Sequence, residues 1–157
     1  MTQHCAKVAI PIRSPLSEVF NSFTDPTQIT KFWLQSTSGP LLQGATVQWQ
    51  FLVPGAVETV TVHEFQVNRQ LTFSWSDGIS VSLQFIEYGV GTTLLSVEAS
   101  GFEKDDIEAI VGATEGFTLV LCDLKTLLES GRSANLVKDK AELISRSHGQ
   151  GSPRSDA

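Results

Sequence analysis

Alternating apolar and polar residues dominate the middle of the chain and predict an antiparallel sheet. The segments read as strands are "VQWQF", "VETVTVHEFQVN", "LTFSW", "ISVSLQF" and "LLSVEASGF". Short turns join them, and Asp77-Gly78 is the strongest hairpin signal in the chain. The apolar parity switches between Val62 and Phe65, which predicts a β-bulge around His63-Glu64. With "AKVAIPI" near the N-terminus, the pattern predicts six strands.

Helical spacing appears before and after this region. "SPLSEVFNSFTD" predicts a short amphipathic helix, with Ser14 as N-cap and Pro15 at the first helical position, and "PTQITKFW" predicts a second. A long helix is predicted from about residues 104–106 to a C-terminal cap at Gly131. Its stripe advances by three and four residues through Ile107, Ile110, Thr114, Phe117, Leu121, Leu124 and Leu128.

The order of elements predicts an α+β fold in which a curved antiparallel sheet wraps around the long helix. A meander has an apolar face that must be covered, and only this helix, about 37 Å long, is long enough. The helix carries Gly112, Ala113 and Gly116 near its middle, although each interior glycine costs roughly 0.5–1 kcal/mol. These small positions either let backbone approach closely or leave space beside the helix.

Rigid aromatic side chains on the concave face, opposite a helix with small residues, predict a ligand-sized cavity. The alternative is that the same side chains simply fill the core. The predicted lining comprises Phe32, Trp33, Trp49, Phe51, Trp75, Phe85, Phe117 and Leu121.

Length and charge narrow the class of protein. The 157 residues fit one domain over 1–133, followed by a short helix or arm over 134–145 and a disordered tail over 146–157. The net charge of −6 argues against a nucleic-acid or membrane partner, because phosphates repel such a surface. The N-terminus has no signal-peptide pattern, so we expect a cytoplasmic protein.

No catalytic or metal-binding constellation emerges from the residues, and no cofactor is expected. His63 is the one histidine in a strand; it is either a general base aimed into the cavity or, as the pattern favours, an exposed strand residue. Cys5 and Cys122 lack ligand spacing and are interpreted as reduced, packed thiols.

Several segments together resemble a known family. "IRSPLSEVFNSFTDPTQITKFW", "GATVQWQF", "QVNRQLTFSW", "GTTLLSVEASGF" and "GFTLVLCDLKTLLESG" are similar, in this order, to the activator of heat-shock-protein-90 ATPase (Aha) homologues, of the START-like (SRPBCC) superfamily. The resemblance implies the helix-grip fold with a hydrophobic tunnel between sheet and helix. Superfamily members bind lipids, polyketides, steroids or plant hormones, and some are cyclases or dehydratases. Family members usually carry Trp where this chain has Phe117, which lacks an indole donor.

Three functions follow as expectations. The first is a non-catalytic binder of a small hydrophobic molecule. The second is a chaperone-interacting or homodimeric regulatory protein without a ligand; the better-known co-chaperones use a second, N-terminal domain for which this chain has no room. The third, which the residues favour least, is a cyclase or hydrolase.

Overall fold

One antiparallel sheet organises the part of the chain that a computed structural model describes, residues 4–148. Within these residues its seven strands lie in the order β1-β7-β6-β5-β4-β3-β2. The strands are β1 (Ala6–Ile12), β2 (Leu34–Thr37), β3 (Thr46–Phe51), β4 (Val57–Gln66), β5 (Gln70–Ser74), β6 (Ser80–Glu87) and β7 (Thr93–Ser100). The helices are α1 (Leu16–Thr24), α2 (Pro26–Ile29), α3 (Ile107–Ser130) and α4 (Leu136–His148). The architecture is the predicted helix-grip α+β fold.

The alternation of apolar and polar residues accounts for the sheet, its β-bulge and one of its hairpin turns. The register shifts between Val62 and Glu64, so the predicted bulge at His63 is confirmed. The predicted hairpin turn at Asp77-Gly78 joins β5 to β6; Gly78 has φ 93°, and the Asp77 carboxylate accepts the Ile79 N–H at 2.9 Å. The short edge strand β2 was not predicted, because its four residues carry too few apolar positions to show a period.

Helix α1 starts differently from the prediction. Ser14 is not its N-cap: Pro15 holds that position, and the helix begins at Leu16. The Ser14 side chain instead donates to the Glu18 carboxylate at 2.7 Å, and its carbonyl accepts the Thr93 hydroxyl at 2.8 Å. The buried Ser14 therefore ties the entrance of α1 to β7.

Helix α3 has defined caps at both ends. The Asp106 carboxylate accepts the Ala109 N–H at 3.1 Å, which satisfies a free donor of the first turn. The helix ends at Ser130, and Gly131 adopts the left-handed conformation with φ 86°, as predicted. It packs chiefly against β1, to a lesser extent against α4, and least against β7.

The C-terminal half of α3 is fastened to the edge strand β1. Lys125 donates from Nζ to the Pro11 carbonyl at 2.8 Å. The Glu129 carboxylate accepts the backbone N–H of Arg13 at 2.8 Å and also pairs with Lys125. These donors lower the pKa of Glu129, the Arg13 N–H most of all. Pro11 is tolerated inside β1 because an edge strand needs no donor on its free side.

Helix α4 runs antiparallel to α3. The Asp123 carboxylate accepts from the Ser133 hydroxyl and the Ala134 N–H, and further along Lys140 pairs with Glu115 at 2.8 Å. Residues 146–148, which were predicted to be disordered, are helical. The rest of the predicted tail lies outside the described residues. No helix among residues 4–148 is long and apolar enough to cross a membrane.

Candidate functional site

The predicted lining residues come from three regions of the chain that the fold brings together. Two of them lie in the turn between α2 and β2, four in or directly after strands β3, β5 and β6, and two on α3. Trp75 is half-buried, whereas the other seven are buried: Phe32, Trp33, Trp49, Phe51, Phe85, Phe117 and Leu121.

Five of the eight meet in one group between the concave face and α3. The group, here called the tryptophan cluster, consists of Trp33, Trp49, Trp75, Phe51, Phe73 and Phe117. Trp33 and Trp49 have ring centroids 5.0 Å apart, and Trp33 reaches Phe117 on α3 at 5.9 Å. Most of these pairs are edge-to-face, a geometry that adds about 0.5–1.5 kcal/mol each beyond burial.

The remaining predicted residues lie beside this cluster rather than in it. Phe32 and Phe85 pack against Phe23 of α1, at 5.5 and 6.1 Å between ring centroids. Phe23 in turn contacts Trp33 at 6.1 Å, so the two groups share an edge. Leu121 is fully buried one turn beyond Phe117.

The predicted set omits two aromatic residues that pack against its members. Phe73 contacts both Trp49 and Trp75, and Phe23 joins the two aromatic groups. Their signals were present in the sequence: Phe73 shares the parity of Trp75 in "LTFSW", and Phe23 lies on the apolar stripe of α1.

The aromatic side chains of the tryptophan cluster pack closely against one another. Trp33 and Trp49 are only 6% and 1% exposed. Among residues 4–148, no fully buried side-chain nitrogen or oxygen lacks a hydrogen-bond partner.

Gly112, one of the two glycines in α3, faces away from the cluster. A Cβ added to Gly112 would have no heavy atom within 4 Å apart from its own helix backbone and chain neighbours. Close approach of sheet or loop backbone at Gly112, one of the two predicted alternatives, is therefore wrong. Its neighbour Ala113 packs against the core, while Ile107 and Val111 are 68% and 61% exposed. The N-terminal half of α3 is held by fewer buried side chains than its C-terminal half.

Two open surface depressions lie away from the tryptophan cluster. One, of about 320 Å³, is on the outer face of β1, β6 and β7 and is bordered by Lys7, Gln84 and Glu98. The other, of about 530 Å³, lies beside the turn between β4 and β5. Phe85 borders the second, and no other predicted lining residue borders either.

The histidine at the bulge does not point into the interior. His63 is exposed, and its Nε2 lies 2.7 Å from the hydroxyl of Ser74. Ser74 follows the buried Phe73, so both polar side chains lie on the outer face of the sheet. The interpretation of His63 as a general base in the cavity is therefore wrong.

Other residues that could bind a metal or act as nucleophiles are scattered among residues 4–148. Within residues 4–148, no group of three or more His, Cys, Asp or Glu side chains could hold a metal ion. Both cysteines are free and half-buried. Partial burial, followed by the carboxylate of Glu98 at 3.3 Å, raises the pKa of the Cys5 thiol, which disfavours the reactive thiolate.

An antiparallel sheet closed over a long C-terminal helix, with an aromatic cluster between them, defines a START-like helix-grip protein. Within that class the chain belongs to the AHSA1 family, described as "Activator of Hsp90 ATPase homolog 1-like protein", whose family model matches residues 13–129. The match ends before α4, so this helix lies outside the shared family region.

Solved structures show the same fold. Protein SSP2350 from Staphylococcus saprophyticus is 26% identical, with a TM-score of 0.75 over 83% of this chain and 95% of its own. The Aha1 dimer from Colwellia psychrerythraea is 18% identical, with a TM-score of 0.74 over 83% of this chain and 99% of its own. DynU16, from the dynemicin biosynthetic locus, is 21% identical, with a TM-score of 0.74 over 84% of this chain and 49% of its own. No match was found among curated proteins.

Proposed function

We propose that this protein is a non-catalytic binder of a small hydrophobic molecule, which lies between the concave face of the sheet and α3. One observation supports the proposal: six rigid aromatic side chains, the tryptophan cluster, lie between the concave face of the sheet and a helix whose N-terminal half has few buried side chains. The proposed lining keeps the eight predicted residues and adds Phe73 and Phe23.

Binding would be driven by the removal of apolar surface from water. That burial is worth roughly 25 cal/mol per Å², from which the cost of association is subtracted. The less firmly held N-terminal half of α3 supplies the route by which the guest enters, since Ile107, Val111 and Gly112 lack a covering element.

Thermal unfolding tests the binder directly. A panel of fluorenone, dodecanoic acid and a steroid is titrated while the melting temperature and Trp fluorescence are followed. A ligand at 100 times its Kd stabilises by about 2.7 kcal/mol, which raises the melting temperature by roughly 5–10 °C. All three tryptophans of the chain lie in the cluster, so the fluorescence reports on this site alone.

A space-filling variant locates the site. Ala113→Leu adds three carbons on the core side of α3, and we expect it to abolish the thermal shift while the protein stays folded. Gly112→Leu is the matched control, because it adds a leucine one position away on the open side, and it should retain the shift.

Two results would contradict the proposal. A thermal shift that survives in Ala113→Leu would place the guest elsewhere. A wild-type protein that responds to no member of the panel would remove the binder function altogether.

A homodimeric or chaperone-interacting role is the second candidate. The similar Colwellia psychrerythraea structure is a dimer, and the family description names the Hsp90 ATPase. Native mass spectrometry of freshly purified protein separates the candidates. A dimer without added mass would favour this role, whereas a retained small molecule would favour the binder.

A further inference from the structure

An apolar stripe lies exposed across helices α3 and α4. Ile107 and Val111 stand one turn apart on the same face of α3 and are 68% and 61% exposed. Leu143 of α4 is 57% exposed. Because Lys140 pairs with Glu115 and the two helices are antiparallel, Leu143 lies beside Val111, each about one turn from that ion pair. Ile107, Val111 and Leu143 are here called the α3–α4 stripe.

Carboxylates surround the start of this stripe. Residues 103–115 carry five acidic side chains and a single lysine. Glu103, Asp105 and Glu108 are exposed, and none of them has an ion-pair partner among residues 4–148. The field at this end of α3 is therefore negative, so it attracts cations and repels anions.

We propose that the α3–α4 stripe docks a basic amphipathic helix of a partner protein. Such a helix presents an apolar face that packs on two neighbouring helices, as in other helix-in-groove complexes. Lys or Arg side chains at the borders of that face reach the carboxylates of Glu103, Asp105 and Glu108. This inference goes beyond the proposed ligand binding and does not depend on it, because the stripe lies on the solvent side of α3.

The backbone of α3 is open beside the stripe. Gly112 follows Val111, and a Cβ added there would have no heavy atom within 4 Å outside its own helix backbone and chain neighbours. A partner helix can therefore approach α3 closely at this point, which is one use of a residue without a side chain.

Charge separates this partner from two other occupants. A second copy of the chain, docked with two-fold symmetry, would bring the same carboxylates against one another, and like charges in contact disfavour association. An anionic lipid surface is repelled for the same reason. A cationic, apolar surface is complementary to both parts of the site.

Peptide titration tests the proposal on the full-length protein. The probe is a fluorescein-labelled peptide of leucine and lysine, about 18 residues or five helical turns long, with its leucines on one face. One control peptide has the same composition with the leucines dispersed around the helix, and a second has glutamate in place of lysine. We expect the probe to bind more tightly than either control, with an affinity that falls as NaCl is raised. Fluorescence anisotropy measures the Kd values.

Substitution of exposed apolar residues locates the site without disturbing the core. The double variant Ile107→Ser, Val111→Ser should weaken binding of the probe by about tenfold, because it removes two apolar side chains from the contact. Val90→Ser is the matched control, since Val90 is 102% exposed in the turn between β6 and β7, and it should keep the wild-type Kd.

Substitution of acidic residues tests the charge complementarity. The double variant Glu103→Gln, Glu108→Gln should bind the probe several-fold more weakly and show a smaller salt dependence. Glu87→Gln removes an exposed carboxylate at the end of β6 and should change neither quantity.

Two results would overturn the proposal. An equal loss of affinity in the Ile107→Ser, Val111→Ser variant and in Val90→Ser would show that the peptide binds the acidic surface without a defined site. Sedimentation of the wild-type protein gives the other: a dimer that Val111→Ser dissociates would make a second copy of the chain the occupant.

Discussion

At the scale of single residues, two glycines near the start of α3 differ in the space available for a side chain. Gly101 has φ 95°, and a Cβ added there would lie 2.8 Å from the carbonyl oxygen of Gly78. A side chain would therefore meet both backbone strain and a backbone atom that cannot move without disturbing the β5–β6 turn. Gly112 meets no such obstacle, because its position is helical and open.

Alanine substitution separates the two glycines. We expect Gly101→Ala to lower the free energy of unfolding by about 1–3 kcal/mol, whereas Gly112→Ala should raise it by about 0.5–1 kcal/mol. Urea denaturation of both variants measures the difference. A neutral Gly101→Ala variant would show that the turn is not held against Gly78.

At the scale of elements, α4 is attached to α3 by a buried carboxylate. Asp123 is 1% exposed, and it accepts the Ser133 hydroxyl at 2.7 Å and the Ala134 N–H at 3.1 Å. Because a charged acceptor strengthens both hydrogen bonds, Asp123 fixes the start of α4 and so its antiparallel course along α3. The Lys140–Glu115 pair contributes less, since the two side chains are 35% and 58% exposed and water screens their charges.

Removing the carboxylate should release α4 before the rest of the fold. We expect Asp123→Ala to cost about 1–3 kcal/mol and to speed amide hydrogen exchange across residues 136–147, while exchange in β5 and β6 stays slow. Glu115→Ala is the control and should change exchange in α4 only slightly. Uniformly faster exchange in sheet and helix would contradict the account, because it would place Asp123 in the global core.

At the scale of the whole molecule, periodicity was sufficient for the fold. The strands from β3 to β7 alternate cleanly and the α3 stripe is unbroken, so sheet, bulge and covering helix were all predictable. β2 was not, because four residues carry no period, and Ser14 was misassigned because its hydroxyl bonds Glu18 instead of capping the backbone. Tertiary contacts, rather than the local sequence, decide whether such a strand forms and which partner such a hydroxyl takes.

Part of the tryptophan cluster was predictable from the sequence, but its arrangement was not. Strand parity placed Trp49, Phe51 and Trp75 on the concave face, yet it could not show that Trp33 would join them from a turn. The edge-to-face packing of the rings was visible only in three dimensions, since it depends on side-chain orientation across the fold.

The central claim is that a guest molecule sits against the tryptophan cluster, and isotope-filtered NMR tests it most directly. With unlabelled fluorenone bound to ¹³C,¹⁵N-labelled protein, intermolecular NOEs should connect the ligand protons to the rings of Trp33, Trp49 and Phe117. NOEs confined to the outer face, at Lys7 and Ala9 in the depression on β1, would contradict the account, as would a complete absence of intermolecular NOEs.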